Sequence, residues 1–259
     1  LANDDGSANL NTALGYKAGE DTNTGASNVF LGSQAGKDRT SGSFSVYIGA
    51  QAGVLSTTGN FNTVIGYNAV AGAVATGYSN VAMGKDAGYN LTSGYSNAFL
   101  GPSAGKGLTS GHSTVALGAS TFGSSAMTGG DNIGIGQNVG YNATSASNII
   151  AIGAQTMSSG VVTGAHNTAV GGHAGNDLTS GTYNNFIGYQ AGYNATTAAY
   201  NVAIGHTAIG LGVTTGTDNV AIGRQAGYDL TSGGYNVMLG WQSGANATTT
   251  INTITIGKE

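Results

Sequence analysis

The sequence predicts an all-β fold, a parallel β-solenoid of fifteen rungs, and three observations carry that prediction. An aliphatic-Gly pair recurs along all 259 residues, with its Gly at 15, 32, 49, 66, 84, 101, 118, 136, 153, 171, 188, 205, 223, 240 and 257. The spacing between successive key glycines is 17 or 18 without exception, and a fixed period of that size marks a repeat architecture. The composition suits stacked turns: 47 glycines, against roughly 7% in an average protein. A disordered chain would carry more net charge and fewer aliphatic residues than a charge of −4 with 40% hydrophobic residues.

The strand comes first. Before the key glycine stands an aliphatic residue or Met in every rung, as in Leu14, Ile48, Met83, Val170 and Ile256. Three before it Val, Ile or Thr predominates, and four before it Asn occupies eleven of the fifteen rungs. Asn-Val-Ala-Ile-Gly therefore reads as a short strand of period two. The residues one and three before the glycine share one face, and the residue two before it points to the other.

The corners follow. Ala-Gly three and four residues past the key glycine, and Thr or Ser before a further Gly, supply turn residues. Asp21, Asn90, Asn142 and Asp229, six past the key glycine, read as left-handed corner residues. Four rungs have 18 residues, those opening at Gly66, Gly118, Gly153 and Gly205, and in these alone Val70, Phe122, Met157 or Ile209 replaces the corner glycine. A bulky corner thus goes with one extra residue of backbone.

Stacking completes the element. One rung cannot bury its own apolar stripe, so rungs stack at roughly 4.8 Å, which makes fifteen of them a rod of roughly 70 Å. The expected interior is the aliphatic column one residue before each glycine, with the Val/Thr column beside it and Ala three residues after the glycine opposite. The residue two before the glycine then faces outward, and there stand Phe30, Tyr47, Val64, Phe99, Phe186 and Met238. An outward apolar column of that length marks an interface, so these six are the expected self-association surface. The sequence does not count the chains.

The residues 219–227, Asn-Val-Ala-Ile-Gly-Arg-Gln-Ala-Gly, resemble the head repeat of trimeric autotransporter adhesins. The stretch Gly88-Tyr-Asn-Leu-Thr-Ser-Gly94 is similar to repeats of bacteriophage tail fibres and related surface proteins, and the ending 251–257 to the stretch that in such fibres leads toward a C-terminal intramolecular chaperone. The likeness covers essentially the whole chain, although the adhesin rungs are usually shorter. It implies a left-handed β-roll, a homotrimer, and a rigid shaft or receptor-contacting head on a virion tail fibre or bacterial cell surface. On that view residues 1–259 form a single repetitive domain, a segment of a longer extracellular fibre protein, whose partners are itself and a host-surface glycan or protein receptor. Tyr89, Tyr141, Tyr193 and Tyr228, five past the key glycine, and Trp241 are candidate glycan contacts, weighed against packing over the corner.

Other chemistry finds little footing. The chain has no cysteine, and its histidines are His112, His166, His173 and His206, with His173 and His206 two rungs apart. That separation is roughly 10 Å, so no metal or other cofactor is expected. Asp21, Asp38, Asp177 and Asp229 share one turn position, where corner formation outweighs a calcium ladder. No carboxylate pair or nucleophile with a histidine appears, which argues against an enzyme. The acyltransferase left-handed β-helix needs three hexads per coil, and Tyr89 or Lys37 falls where its second needs an aliphatic residue. An ice-binding or secreted matrix solenoid is the alternative, resting on the Thr/Ser column. The acidic balance argues against nucleic acid, and no apolar run approaches the roughly 20 residues of a membrane span. The Asn-x-Thr sites at Asn90, Asn142, Asn194 and Asn246 are by-products of the repeat.

Overall fold

Each rung contributes one strand of three residues, placed where the aliphatic-Gly motif ends. The computed structural model describes residues 10–124 and 126–258. Among the described residues fifteen parallel strands build a β-solenoid of about 14 turns, and none lies in a helix. The chain divides into two compact units, Leu1–Gly130 and Asp131–Glu259. The first holds β1 (Thr12–Leu14), β2 (Val29–Leu31), β3 (Val46–Ile48), β4 (Thr63–Ile65), β5 (Val81–Met83), β6 (Ala98–Leu100) and β7 (Val115–Leu117). The second holds β8 (Ile133–Ile135), β9 (Ile150–Ile152), β10 (Thr168–Val170), β11 (Asn185–Ile187), β12 (Val202–Ile204), β13 (Val220–Ile222), β14 (Val237–Leu239) and β15 (Ile254–Ile256). Within a unit each strand pairs with the next in sequence, equivalent residues opposite one another: Ala203 faces Ala221, and Ala221 faces Met238.

The backbone of a rung turns at fixed points. Among the described residues, every non-glycine with positive φ lies two or four residues past a key glycine, or five before it; Gln34 (59°), Val70 (49°) and Phe44 (55°) are examples. Asp21, Asn90, Asn142 and Asp229 are not left-handed, which corrects the expectation for that position. It is a stacking position: the Asp229 N–H donates to Ala245 O at 2.9 Å, one rung on. The key glycine is required twice over. Its φ runs from 118° to 139° between Gly15 and Gly240, and a Cβ on Gly84 would stand 2.4 Å from the carbonyl oxygen of Gly101. An L-residue suits neither the dihedral nor the space.

The interior reverses the expected sense of the strand. The middle residue of the strand is buried from β2 to β14, while the residues on either side of it are half-buried or exposed. Phe30, Tyr47, Val64, Phe99, Phe186 and Met238 therefore line the core of their own chain, at most 1% exposed, and are not a surface for a partner. Alternation separates two faces without saying which is enclosed; enclosure follows from what the middle side chain meets. It meets the left-handed corner four residues past the key glycine. A Cβ on Gly36 would lie 2.4 Å from the Phe30 ring, and one on Gly53 2.2 Å from the Tyr47 ring. Large rings fit because the corner has no side chain.

The 18-residue rungs exchange the two roles. Val70, Phe122, Met157 and Ile209 keep the left-handed corner, with φ of 48° to 50°, and send their side chains into the core. The middle strand residues of those rungs are smaller: Val64, Ala116, Ala151 and Ala203. Where both positions are small, the neighbours fill the space. The Gly175 corner is covered by Phe186 of the next rung and Met157 of the one before, at 3.0 and 3.5 Å from a Cβ placed there. Gly227 is covered in the same way by Met238 and Ile209. The Ala column three residues past the glycine is buried as expected, Ala35, Ala104 and Ala226 among it.

Beside the apolar core runs a column of asparagines, most of them buried, one residue before eleven of the fifteen strands. Asn201 shows the pattern: its Nδ2 donates to Gly216 O (2.9 Å) and to Asn184 Oδ1 (3.2 Å), and its Oδ1 accepts from the Asn219 N–H (3.0 Å). Each amide thus satisfies a corner carbonyl and the backbone of the next rung. Side-chain hydrogen bonds that are fully matched in a buried site fix register as well as adding stability.

Candidate interaction surfaces

The face left to solvent is the aliphatic one. In every strand the first and last residues point away from the core, which sets Val29, Val81, Ile133 and Ile150 beside Leu31, Met83, Ile135 and Ile152. Exposure is 53% at Leu100, about two-fifths at Val81, Ile187 and Ile222, and highest at Leu14, Ile254 and Ile256 of the first and last strands, 68% to 75%. None of these outward strand residues in any of the fifteen rungs is charged, and polar ones are confined to Thr12, Thr63, Thr168 and Asn185. Contiguous apolar surface on that scale is unusual for a monomeric protein.

The candidate glycan contacts divide. Tyr89 packs over Gly72, where a Cβ would meet its ring at 2.2 Å, and Lys106 Nζ stands 5.7 Å from its centroid. Trp241 is bracketed by cations of the rungs before and after it, Arg224 at 4.8 Å and Lys258 at 4.6 Å from its ring. Tyr193 leans on His173, centroids 6.1 Å apart, and Tyr141 is more open, 37% exposed. Tyr228 lines a polar groove of about 300 Å³ with Gln225, Asp229, Gln242, Ala245 and Asn246. The two glutamines join across it, Gln242 Nε2 donating to Gln225 Oε1 at 3.2 Å. The structure brings these aromatic residues together in no single cluster.

Sequence reasoning missed the stacked aromatic columns on the outer corners. Phe44 lies on Phe61, ring centroids 5.4 Å apart and ring planes nearly parallel. Tyr78, Tyr95 and His112 form a second stack, and His166, Tyr183 and Tyr200 a third, with spacings of 4.7 to 5.1 Å. The signal was available: these residues recur five or six places before successive key glycines, so rung stacking puts ring over ring.

Charge is sparse and local. Lys37 donates to Asp38 Oδ1 at 2.6 Å, which raises the lysine pKa. Burial raises that of Asp177 and lowers that of Arg39, whose guanidinium is fully enclosed. Among the described residues no group of three or more His, Cys, Asp or Glu side chains could hold a metal ion. The threonines that suggested an ice-binding surface are engaged between rungs: Thr92, Thr179 and Thr231 Oγ1 donate to the carbonyls of Thr109, Thr196 and Thr248 at 2.9 to 3.0 Å. Comparison with protein-family models, with curated proteins and with solved structures found no match.

Proposed function

We propose that this chain is a structural segment of an extracellular fibre, a stiff shaft that carries or presents a receptor-contacting element on a virion or a bacterial surface. One observation carries the reading. Within each unit successive rungs are tied by the same strand pairing and corner contacts, and in most rungs by the buried asparagine column. A fold in which each layer contacts its neighbours alone sums its stability over like rungs and their interfaces, which suits a spacer. The resemblance to tail-fibre and adhesin repeats points the same way and adds a homotrimer. Receptor contact is the adhesive part of the proposal, and the groove at Tyr228 and the open Tyr141 are its candidate places.

Proteolysis tests the shaft. Proteolytic attack requires local opening, and a uniformly laddered solenoid offers few segments that open alone. Full-length chain incubated with proteinase K is expected to keep an intact core spanning the described rungs for hours. Rapid conversion to rung-sized fragments, with cuts scattered through 10–258, would overturn the proposal.

A further inference from the structure

We propose that the outer corner ahead of β12, β13 and β14 binds a quaternary ammonium group, a choline-type head, held between the rings of Tyr200 and Tyr235 over the carboxylate of Asp218. The three residues stand five places before successive key glycines. They share one left-handed φ: 57° at Tyr200 and 60° at Asp218 and Tyr235. Each donates its backbone N–H to a carbonyl of the rung before, Thr182, Ala199 and Thr217 in turn, at 3.0 to 3.1 Å. Like dihedrals in register send the side chains out in the same direction, one per rung. Tyr200 is stacked on Tyr183 with the rings 5° from parallel, so its second face is turned along the column toward the place of Asp218. An aspartate is shorter than a tyrosine, and beyond its carboxylate the column opens into a cleft with a ring at either end.

The width of that cleft selects the occupant. Two strand spacings separate Tyr200 from Tyr235, roughly 9.6 Å, so a cation midway stands roughly 4.8 Å from each ring, inside the roughly 6 Å reach of a cation–π contact. The chain makes the same contact elsewhere: Arg224 and Lys258 stand 4.8 and 4.6 Å from the Trp241 ring, on the rungs before and after it. Between Tyr200 and Tyr235 the order is inverted, with two rings about one place for a cation. Asp218 is exposed and has no ion pair among the described residues, and Tyr200 and Tyr235 are 55% and 62% exposed. The walls decide which cation fits. A primary ammonium or a guanidinium brings several N–H donors that need acceptors, and a metal ion needs several oxygen ligands. Here the walls are ring faces and the floor is one carboxylate. A trimethylammonium group has no N–H, and its methyls pack against rings.

Isothermal titration of the full chain with choline chloride tests the site. Saturable binding in the millimolar range is expected. Ethanolamine and neohexyl alcohol, the uncharged isostere of choline, should bind about 10-fold more weakly. Tyr200→Ala, Tyr235→Ala and Asp218→Asn should each weaken choline binding about 10-fold with unchanged far-ultraviolet circular dichroism, and Trp241→Ala should leave it intact. If the alanine variants do not fold, the wild-type chain decides by nuclear magnetic resonance: stacked rings should move the choline methyl signal upfield on binding. Sedimentation with phosphatidylcholine vesicles separates two sources of the group. A chain that pellets and is released by choline takes a lipid head; one that binds choline but stays in solution takes choline carried on a soluble molecule or polymer. Either result upholds the site. An uncharged isostere that binds as well as choline overturns the proposal. So does titration without saturation, a methyl signal that does not move, or wild-type affinity in all three site variants. None of these results touches the protease resistance on which the fibre reading stands.

Discussion

Arg39 is a fully buried guanidinium with no carboxylate among the groups it meets. Its Nε donates to Gly42 O (3.0 Å), one terminal nitrogen to Tyr47 Oη (2.6 Å), and the other to Ser45 Oγ and Gly59 O. The reason for its presence lies at residue 45. The asparagine column supplies a donor to each corner carbonyl, as Asn28 Nδ2 does to Gly42 O and Asn62 Nδ2 to Gly77 O. Ser45 cannot reach Gly59 O, and Arg39 covers the gap from the opposite wall. Most other 17-residue rungs place an uncharged residue there, Leu91, Leu108, Leu178 and Leu230 among them. Arg39→Leu alone strands Gly59 O and the Tyr47 hydroxyl, for a loss of about 2–4 kcal/mol. Arg39→Leu with Ser45→Asn restores the column and removes a buried charge. That double variant should match or exceed the wild type in urea unfolding, and a double variant no better than the single one would show that the two residues are not coupled. Ser45 is visible in the sequence as a break in the asparagine column. Its compensation by Arg39 is not, because the two meet only across the interior of a closed rung.

At the scale of the strand, the period-two pattern was legible and its sense was not. Both faces of Val-Ala-Ile are apolar, so hydrophobicity alone cannot rank them, and the bulkier outward residues looked like the core. Two signals do rank them. The asparagine column shares its face with the middle residue, and an amide column of that length requires partners that only an interior provides. A large middle residue also never coincides with a large corner residue, as Phe186 with Gly192 and Ala203 with Ile209 illustrate, which is the mark of two groups competing for one space. Truncation on adjacent positions of one strand separates the faces. Phe186→Ala should cost about 3–5 kcal/mol, the range for a large buried side chain. Ile187→Ala should cost less than about 1 kcal/mol, since its side chain is already partly in water. Equal losses at the two positions would mean that the strand is enclosed on both faces.

Within each unit the large interior residues repeat on a longer period than the rung. Large interior residues recur 52 positions apart: Tyr47 and Phe99, Val70 and Phe122, Met157 and Ile209, Phe186 and Met238. Tyr89, Tyr141 and Tyr193 keep the same interval. Fifty-two residues make three rungs, two of 17 and one of 18. The physical cause is the filling of the core: a rung with Ala and Gly at its two interior positions borrows volume from both neighbours, so one rung is not a complete packing unit. Alignment on the key glycine hides this, because that glycine answers to backbone geometry and is the same in every rung. The two kinds of repeat are separable by deletion. Removing residues 188–239 joins Ile187 to Gly240, lays Phe186 over Gly244 in place of Met238, and offers Asn184 the Thr250 carbonyl that Asn236 uses. Stability and exposed surface both scale with the number of rungs, so the urea midpoint should stay near that of the wild type while the slope falls. Removing residues 223–239 alone keeps the strand register equally well but joins Ile222 to Gly240 and sets Ala221 over Gly244, with Thr255 as the next middle residue. Neither replaces Met238, and the void should cost about 2–5 kcal/mol, seen as a lower midpoint in the longer of the two variants. Equal midpoints for both deletions would show that a single rung is the packing unit after all.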